Sequence, residues 1–560
     1  MARRTQSQTV FIPLGGVGEI GMNLALYGYG PEDDRSYIMV DCGLSFAGTD
    51  LPGVDLLYPD VRFIEEDRHA LKAIVITHAH EDHIGALAAL WPRLKAPVFM
   101  SAFAHQLLLA KGTRDHGPFE APVTLFSAGA AFDAGPFRIT PVPVSHSIPE
   151  AFSLVIDAPG HRVLHTGDWK LDPEPVIGTP TDLDSFGKLA DERAFDTMIC
   201  DSTNAIRDGD SPSEGAVGRE LTAVLREAKA RVAVTLFSSN VARIRSVLKA
   251  SEAAGRQVVV AGRALHRVIG VSRDLGYLAD CAPVLDMDAF DKLPRKAVTL
   301  LMTGSQGEDR AALARISRDD HPMIALAPGD LVVFSSRVIP GNERGVIDIV
   351  NRLTEKGIEI LTDRERPVHV SGHPRRGELV ALYHAVKPKA LIPVHGEAVH
   401  LAAQAALARE NGIAETLIVS DGDVVRLDGP VPSIVDSVPS GILVGDGKVI
   451  DGPEETGVYQ RRSLAERGIV SVALALDGRG AMLGDPSITL DGVPVSERLS
   501  QPLDEVIEDT IFDTLDSIPR ARRKDSAVVS EAVRKAVRAA VGGVWGKRPA
   551  CHVHVLIVQE

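Results

Sequence analysis

The stretch Thr77-His78-Ala79-His80-Glu81-Asp82-His83 constrains this chain more than any other. It sets several imidazoles and carboxylates directly after the apolar run Ala73-Ile74-Val75-Ile76. That run reads as a buried strand, with the polar cluster at its C-terminal end. In a layered α/β protein a functional cleft belongs at such an edge. Imidazole and carboxylate are ligands that suit zinc or manganese. Packing so many strongly hydrated groups beside a core strand is costly unless a cation compensates them. A polar loop with chance histidines is the bland alternative, and that cost argues against it.

At 560 residues the chain has room for two to four domains, at about 100–200 residues each. Its 45% hydrophobic and 24% charged residues are those of an ordinary globular protein able to bury a large core. No apolar run approaches the ~20 residues of a membrane helix. The basic start Met1-Ala2-Arg3-Arg4 leads into only a short apolar stretch before Pro13, unlike a signal peptide. Cys42, Cys200, Cys281 and Cys551 are scattered without a C-x-x-C pair, which points to a reducing compartment, hence the cytoplasm. The net charge of −15 disfavours indiscriminate nucleic-acid binding. It leaves room for a local channel made electropositive by bound cations.

Residues 8–200 alternate short strands with glycine-rich turns, a mixed sheet sandwich and not a doubly wound sheet. From about 206 to 365 the texture changes to βαβα, with helices expected over Ser213–Ala230 and Val241–Ala254 and strands over Arg231–Phe237 and Val258–Val260. Strands of the first kind then return at Lys387–Val394 and Thr416–Ser420, so one domain is inserted into another. A Gly/Pro/Asp-rich stretch over 438–457 reads as a linker. A final unit follows, with strands near 469–476 and 552–558 and helices near 503–516 and 525–541. Val529, Val533, Val537 and Val541 make one apolar stripe on the second helix, expected to pack on its own sheet.

Gly16-Val17-Gly18-Glu19-Ile20-Gly21 matches a dinucleotide fingerprint, with Asp41 twenty residues on. The fingerprint needs a helix between glycines and acid. Here that interval carries Gly28, Gly30 and Pro31 and reads as strand, turn, strand. The glycines are therefore expected to form a tight turn at the cleft, with Asp41 orienting a ligand from behind.

A metal site needs about four ligands per ion. On an extended loop His78 and His80 point the same way and can share one ion, while Asp82 and His83 face a second. The missing ligands belong at other strand ends. Candidates are His146 in Val144-Ser145-His146-Ser147, Asp168 in His165-Thr166-Gly167-Asp168, and His395 in Val394-His395-Gly396-Glu397.

The order H-x-H-x-D-H, His, Asp, late His resembles the metallo-β-lactamase superfamily, and the inserted region resembles its β-CASP nuclease branch. Gly15 to Asn23, Thr303-Gly304-Ser305-Gln306-Gly307-Glu308, Phe334 to Glu343 and His369-Val370-Ser371-Gly372-His373 are similar to the bacterial ribonuclease J family. The resemblance is strong to about residue 440 and weaker beyond. It implies an α/β chain whose metallo-β-lactamase αββα sandwich spans 1–205 and 366–440. An inserted β-CASP α/β domain over 206–365, a linker over 441–465 and a small α+β C-terminal domain over 466–560 complete it. One cation would be held by His78, His80, His146 and Asp168, the other by Asp82, His83, Asp168 and His395, with Asp168 bridging. Two zinc ions are expected, with Mn2+ or Mg2+ as alternatives. Asp201, His373 and Asp82 take catalytic roles. Ser239, Asn240, His369, Val370, Ser371, Gly372 and His373 would bind the RNA's terminal phosphate and backbone. For Ser239 and Asn240 a helix N-cap ahead of Val241 is an equal reading.

The implied activity is a metal-dependent ribonuclease of RNA maturation and decay, with 5′-to-3′ exonuclease and endonuclease modes. Two-metal hydroxide attack would leave 5′-phosphate products. The implied partner is RNA, preferentially 5′-monophosphorylated, with a homodimer or homotetramer, RNA-decay partners and no membrane. The rival readings are a β-CASP nuclease acting on DNA and a small-substrate metallo-hydrolase. The latter has no need of an inserted domain. A scaffold that has lost catalysis would not keep every ligand. Arg520-Ala521-Arg522-Arg523-Lys524 reads as a solvated charge run before it reads as an RNA contact.

Overall fold

The computed structural model describes residues 7–48, 50–112, 119–339, 341–495 and 499–558. The basic Met1–Arg4 tip and Pro340 of the Phe334–Glu343 motif lie outside these residues. The chain separates into two compact units, one of residues 1–46 and 56–443, the other of 47–55 and 444–560.

The first unit contains two large mixed sheets. In one, Gln8–Gly15, Leu24–Gly30 and Ser36–Val40 run antiparallel as a meander, and Leu71–Val75 then joins Ser36–Val40 in parallel. The other has the order Glu415–Thr416, Ala390–Val394, Thr197–Asp201, His161–His165, Ala151–Ala158, Phe137–Val144, Phe132–Ala134. Phe11, Tyr27, Ile38 and Val75 of the first sheet pack against Ile139, Leu154, Ile156, Ile199 and Ile392 of the second in one buried core. The outer face of the second sheet is covered by Leu183–Glu192, Arg376–Val386 and Ala398–Glu410, through Phe186, Leu382, Tyr383 and Leu407. Burial on both faces explains why Ile199 and Cys200, neighbours in one strand, are both inaccessible.

Thr197–Asp201 and Ala390–Val394 are adjacent parallel strands, and the chain between them leaves to build a separate layer. There the five strands Gln257–Ala261, Val298–Met302, Val232–Thr235, Leu331–Phe334 and Glu359–Leu361 form a fully parallel sheet. Its run Val232–Thr235 is buried throughout, as a strand covered by helices on both sides must be.

In the second unit, Ile469–Asp477 pairs antiparallel with Ser487–Asp491 and parallel with Ala550–Val558. The helices Leu503–Ser517 and Ser526–Trp545 lie on this sheet, and Val529, Val533, Val537 and Val541 are all fully buried in its core. The strand Ser487–Asp491 escapes the sequence reading because a single alternation of Ile488 and Leu490 is a weak signal. The expected linker over 441–465 requires correction. Ile442–Asp446 turns through Gly447 into Val449–Asp451, and Val458–Arg467 is helical. Gly447, at φ +62°, supplies a hairpin turn, which looks like linker composition in one dimension. Among the described residues no helix is long and apolar enough to cross a membrane.

Candidate metal centre

The C-terminal ends of several strands converge on one pocket. Leu71–Val75 delivers His78 and His80, Phe137–Val144 delivers His146, His161–His165 delivers Asp168, Thr197–Asp201 ends on Asp201, and Ala390–Val394 delivers His395. The register that sets Asp201 opposite Val394 makes neighbours of residues almost two hundred positions apart. The stretch 77–83 is only half extended, which corrects the single-loop reading. His80 is the N-cap, at ψ 151°, of the one-turn helix Glu81–Ile84, so Asp82 and His83 leave the loop on a different face from His78 and His80. That turn divides the cluster into two groups.

In the first group, His80 Nδ1 lies 3.1 Å from His78 Nε2 and 3.1 Å from His146 Nε2. Asp168 Oδ2 is 3.6 Å from both His78 Nε2 and His146 Nε2. A tetrahedral ion with arms of ~2.0–2.1 Å has ligand atoms ~3.4 Å apart. The second group pivots on the other oxygen of the same carboxylate. Asp168 Oδ1 is 3.3 Å from His83 Nε2 and 3.3 Å from His395 Nδ1, and Asp82 Oδ2 is 3.3 Å from His395 Nε2. His395 Nε2 is buried and lacks hydrogen-bonding alignment with any partner among the described residues. A buried ring nitrogen without a proton partner is costly, and a cation relieves it.

Hydrogen bonds behind the rings assign which nitrogen faces the pocket. His78 Nδ1 meets Thr77 Oγ1 at 3.0 Å, and that hydroxyl donates to Asp41 Oδ2 at 2.8 Å. His83 Nδ1 donates to the same Asp41 oxygen at 2.7 Å. His146 Nδ1 donates to the Gly372 carbonyl at 2.8 Å. Thr203 Oγ1 donates to Asp201 Oδ1 at 2.7 Å and can then accept from His395 Nδ1 at 3.1 Å. Only His80 is reversed, with Nε2 towards Ser147 Oγ at 3.3 Å and Nδ1 inward. Each ring so held turns its other nitrogen to the centre, and on His78, His80 and His146 that nitrogen carries no proton. Facing lone pairs at these distances repel one another, and the donor set therefore fits divalent cations.

Burial pushes His80 down to about 4 and His146 to about 3, and His78 lies well below the ordinary imidazole value. All three are neutral at neutral pH. Burial opposes charge on His83 and His395 too, but the surrounding carboxylates, Asp168 first, together outweigh it, raising His83 and lifting His395 to about 10. Burial likewise opposes charge on Asp82 and Asp168, yet His83 holds both carboxyls below the usual range. Protons on His83 and His395 thus supply positive charge beside Asp168, a role that a bound dication takes over.

Asp201 Oδ2 accepts from His373 Nδ1 at 2.8 Å; burial notwithstanding, Asp201 raises the His373 pKa. The loop carrying His369, Val370, Ser371 and Gly372 is tied in from several sides. Ser371 Oγ accepts from Asn204 Nδ2 at 2.9 Å, and the fully buried Arg243 donates to the Val368 carbonyl at 3.2 Å. A Cβ on Gly372 would lie 2.6 Å from the His146 ring, so only glycine fits there. Burial, then Arg243, holds His369 well below the ordinary value. Asn240 behaves as the capping alternative expects, accepting from Arg243 N at 2.8 Å. Among the described residues neither Ser239 nor Asn240 hydrogen-bonds to the 369–373 loop.

The sequence alone does not mark Asn23, Thr77 and Thr203 as site residues. Asn23 Nδ2 lies 3.1 Å from His83 Nε2. Its place in the glycine motif and Thr203's adjacency to Asp201 were the available signals. The glycine turn has a job without any nucleotide. Gly16, at φ +88°, presents its carbonyl to His395 N at 2.6 Å, and Gly18 N donates to the Gly396 carbonyl at 3.0 Å. The turn clamps the late histidine.

Four family models match the chain. They are the Beta-lactamase superfamily domain at 36–236, the Ribonuclease J beta-CASP domain at 229–353, the Zn-dependent metallo-hydrolase RNA specificity domain at 357–419 and the Ribonuclease J C-terminal domain at 456–558. A Ribonuclease J from Sinorhizobium meliloti is 48% identical over 548 residues, covering 98% of this chain and 97% of that protein. Those from Mycolicibacterium smegmatis and Thermus thermophilus are 37% and 34% identical, covering 96% and 94% of this chain and 95% of each relative. A solved structure of a protein of unknown function from Enterococcus faecalis shares the fold at TM-score 0.52 and 16% identity, over 75% of this chain and all of that one.

Proposed function

The chain belongs to the ribonuclease J family, and we propose that it is a metal-dependent ribonuclease that cuts RNA from the 5′ end and internally, leaving 5′-phosphates. The observation that carries this reading is the convergence of ring nitrogens from His78, His80, His146 and His83 on one pocket around the two oxygens of Asp168. His78, His80, His146 and Asp168 would hold one divalent cation, and Asp82, His83, Asp168 and His395 the other. Zinc is the first choice and Mn2+ or Mg2+ the alternatives. When bound, the cations supply an activated water and offset the charge of the phosphodiester.

The remaining steps fall to side chains. Asp201 accepts from His373 Nδ1 and favours the protonated ring, which leaves Nε2 to deliver a proton to the departing 3′-oxygen. Ser371, Gly372 and His373, with Ser239, Asn240, His369 and Val370, would seat a 5′-monophosphate and set the step of exonucleolytic digestion. A triphosphate would not fit. We assign the enzyme to the cytoplasm, where it would act as a homodimer or homotetramer with other RNA-decay proteins.

The decisive experiment digests 5′-labelled monophosphorylated RNA and DNA of the same sequence, with zinc, manganese or magnesium supplied singly. Mononucleotides and 5′-phosphorylated internal fragments from RNA are expected. Intact RNA with all three metals, or faster cleavage of DNA, would refute the reading.

A further inference from the structure

We propose that a cavity of about 210 Å³ in the second unit is a binding site for a phosphate group. Three arginines line it. Arg467 ends the helix Val458–Arg467, and Arg534 and Arg538 stand one turn apart on Ser526–Trp545. Burial of Val529, Val533, Val537 and Val541 on the same helix holds the two arginines on a rigid support. Ser463 and Cys551 complete the polar lining.

Two of the three charges there are uncompensated. Glu531 takes Arg534 through Nε and Nη2, both at 2.8 Å, and shares itself with Lys535 at 3.2 Å. Arg467 and Arg538 have no hydrogen bond or ion pair among the described residues, and Arg538 Nε is buried without an acceptor. A buried guanidinium N–H without an acceptor and two unpaired cations beside one void both cost free energy. An anion with several oxygens removes both costs. The thiol does not compete for that place, because burial raises the Cys551 pKa and keeps it protonated. The planar fork of arginine matches phosphate oxygens, whereas a lone carboxylate offers too few acceptors for three guanidiniums. The phosphate could belong to an RNA backbone or to a small ligand. The site consists of residues outside the cation pocket, so it stands or falls independently of the nuclease reading.

The test is calorimetric titration of the metal-loaded full chain with inorganic phosphate, repeated on Arg467→Glu and Arg538→Gln. Arg467 is exposed, so its replacement leaves folding intact, and thermal melts report on both variants. Both should bind phosphate about tenfold more weakly or worse, with cleavage of a short 5′-monophosphorylated RNA unchanged. A second arm adds an RNA oligonucleotide, with EDTA to block cleavage, to the parent and to Arg467→Glu. Competition with phosphate only in the parent identifies the RNA backbone as the source. Phosphate binding without competition identifies a small phosphorylated ligand. Identical phosphate isotherms in parent and Arg467→Glu overturn the proposal.

Discussion

Asp41 holds two rings of the centre at once, His83 directly and His78 through Thr77, from a left-handed backbone at φ +63°. Such strain persists only where the surroundings over-determine it. Asp41→Asn keeps the shape but replaces one accepting oxygen with a donor. Metal affinity should fall about 10–100-fold, read by competition with a chromophoric chelator; unchanged affinity would show that Asp41 does not orient the ligands. Asp421 supports a prediction of a different kind. Burial, then Glu19, raises its carboxyl to about 7, and its Oδ1 is buried without a partner. The folded chain therefore binds a proton that the unfolded chain, near ~3.9, has released. The resulting stabilisation is complete below about pH 4 and lost as pH rises through about 7. Asp421→Asn should raise the melting temperature at pH 8 and leave it unchanged at pH 4. A variant that melts like the parent at both values would remove Asp421 from the account.

The elements show where a local pattern suffices. The helix Ser526–Trp545 has its N-cap at Asp525, which accepts from Ala527 N at 3.0 Å, and its valines repeat every fourth residue. Cap and stripe are both local signals, so the helix was legible without tertiary knowledge. Val533→Ala removes two methyl groups from a fully buried position. It should destabilise the second unit by about 2 kcal/mol, measured by chemical denaturation; a change below ~0.5 kcal/mol would mean that the stripe is not core. The turn Glu81–Ile84 shows the opposite case. Nothing in Glu81-Asp82-His83-Ile84 demands a helix, and four residues are too few for periodicity to register. Contacts from outside fix it, since Asn23 N and Leu44 N donate to the Asp82 and Glu81 carbonyls at 2.8 and 3.0 Å. The same blindness made a linker of 441–465, where glycine and aspartate serve a hairpin.

For the molecule as a whole, the proposed activity turns on the His/Asp cluster centred on Asp168. His80→Ala and Asp168→Ala should each abolish RNA cleavage while leaving RNA binding largely intact, as gel shift and a cleavage assay would show together. Turnover retained in both variants would exclude the shared-carboxylate arrangement. A 5′-triphosphate should slow stepwise digestion relative to a monophosphate, and equal rates would count against a phosphate seat at 369–373.

Much of this was present in one dimension. The ligand types, their placement after apolar strands, the inserted parallel sheet and the ribonuclease J resemblance are all consequences of local order along the chain. Alternation of apolar and polar residues is set by the geometry of a single strand, and a strand carries its terminal residues with it. Tertiary structure alone decided which nitrogen of each imidazole turns inward, and that Asp168 divides its oxygens between two groups. It also decided that Asn240 caps its own helix and that three arginines meet around an empty volume. Those outcomes depend on hydrogen bonds between residues far apart in sequence. Only the packed sheets and the register between Thr197–Asp201 and Ala390–Val394 bring such residues within a few ångströms.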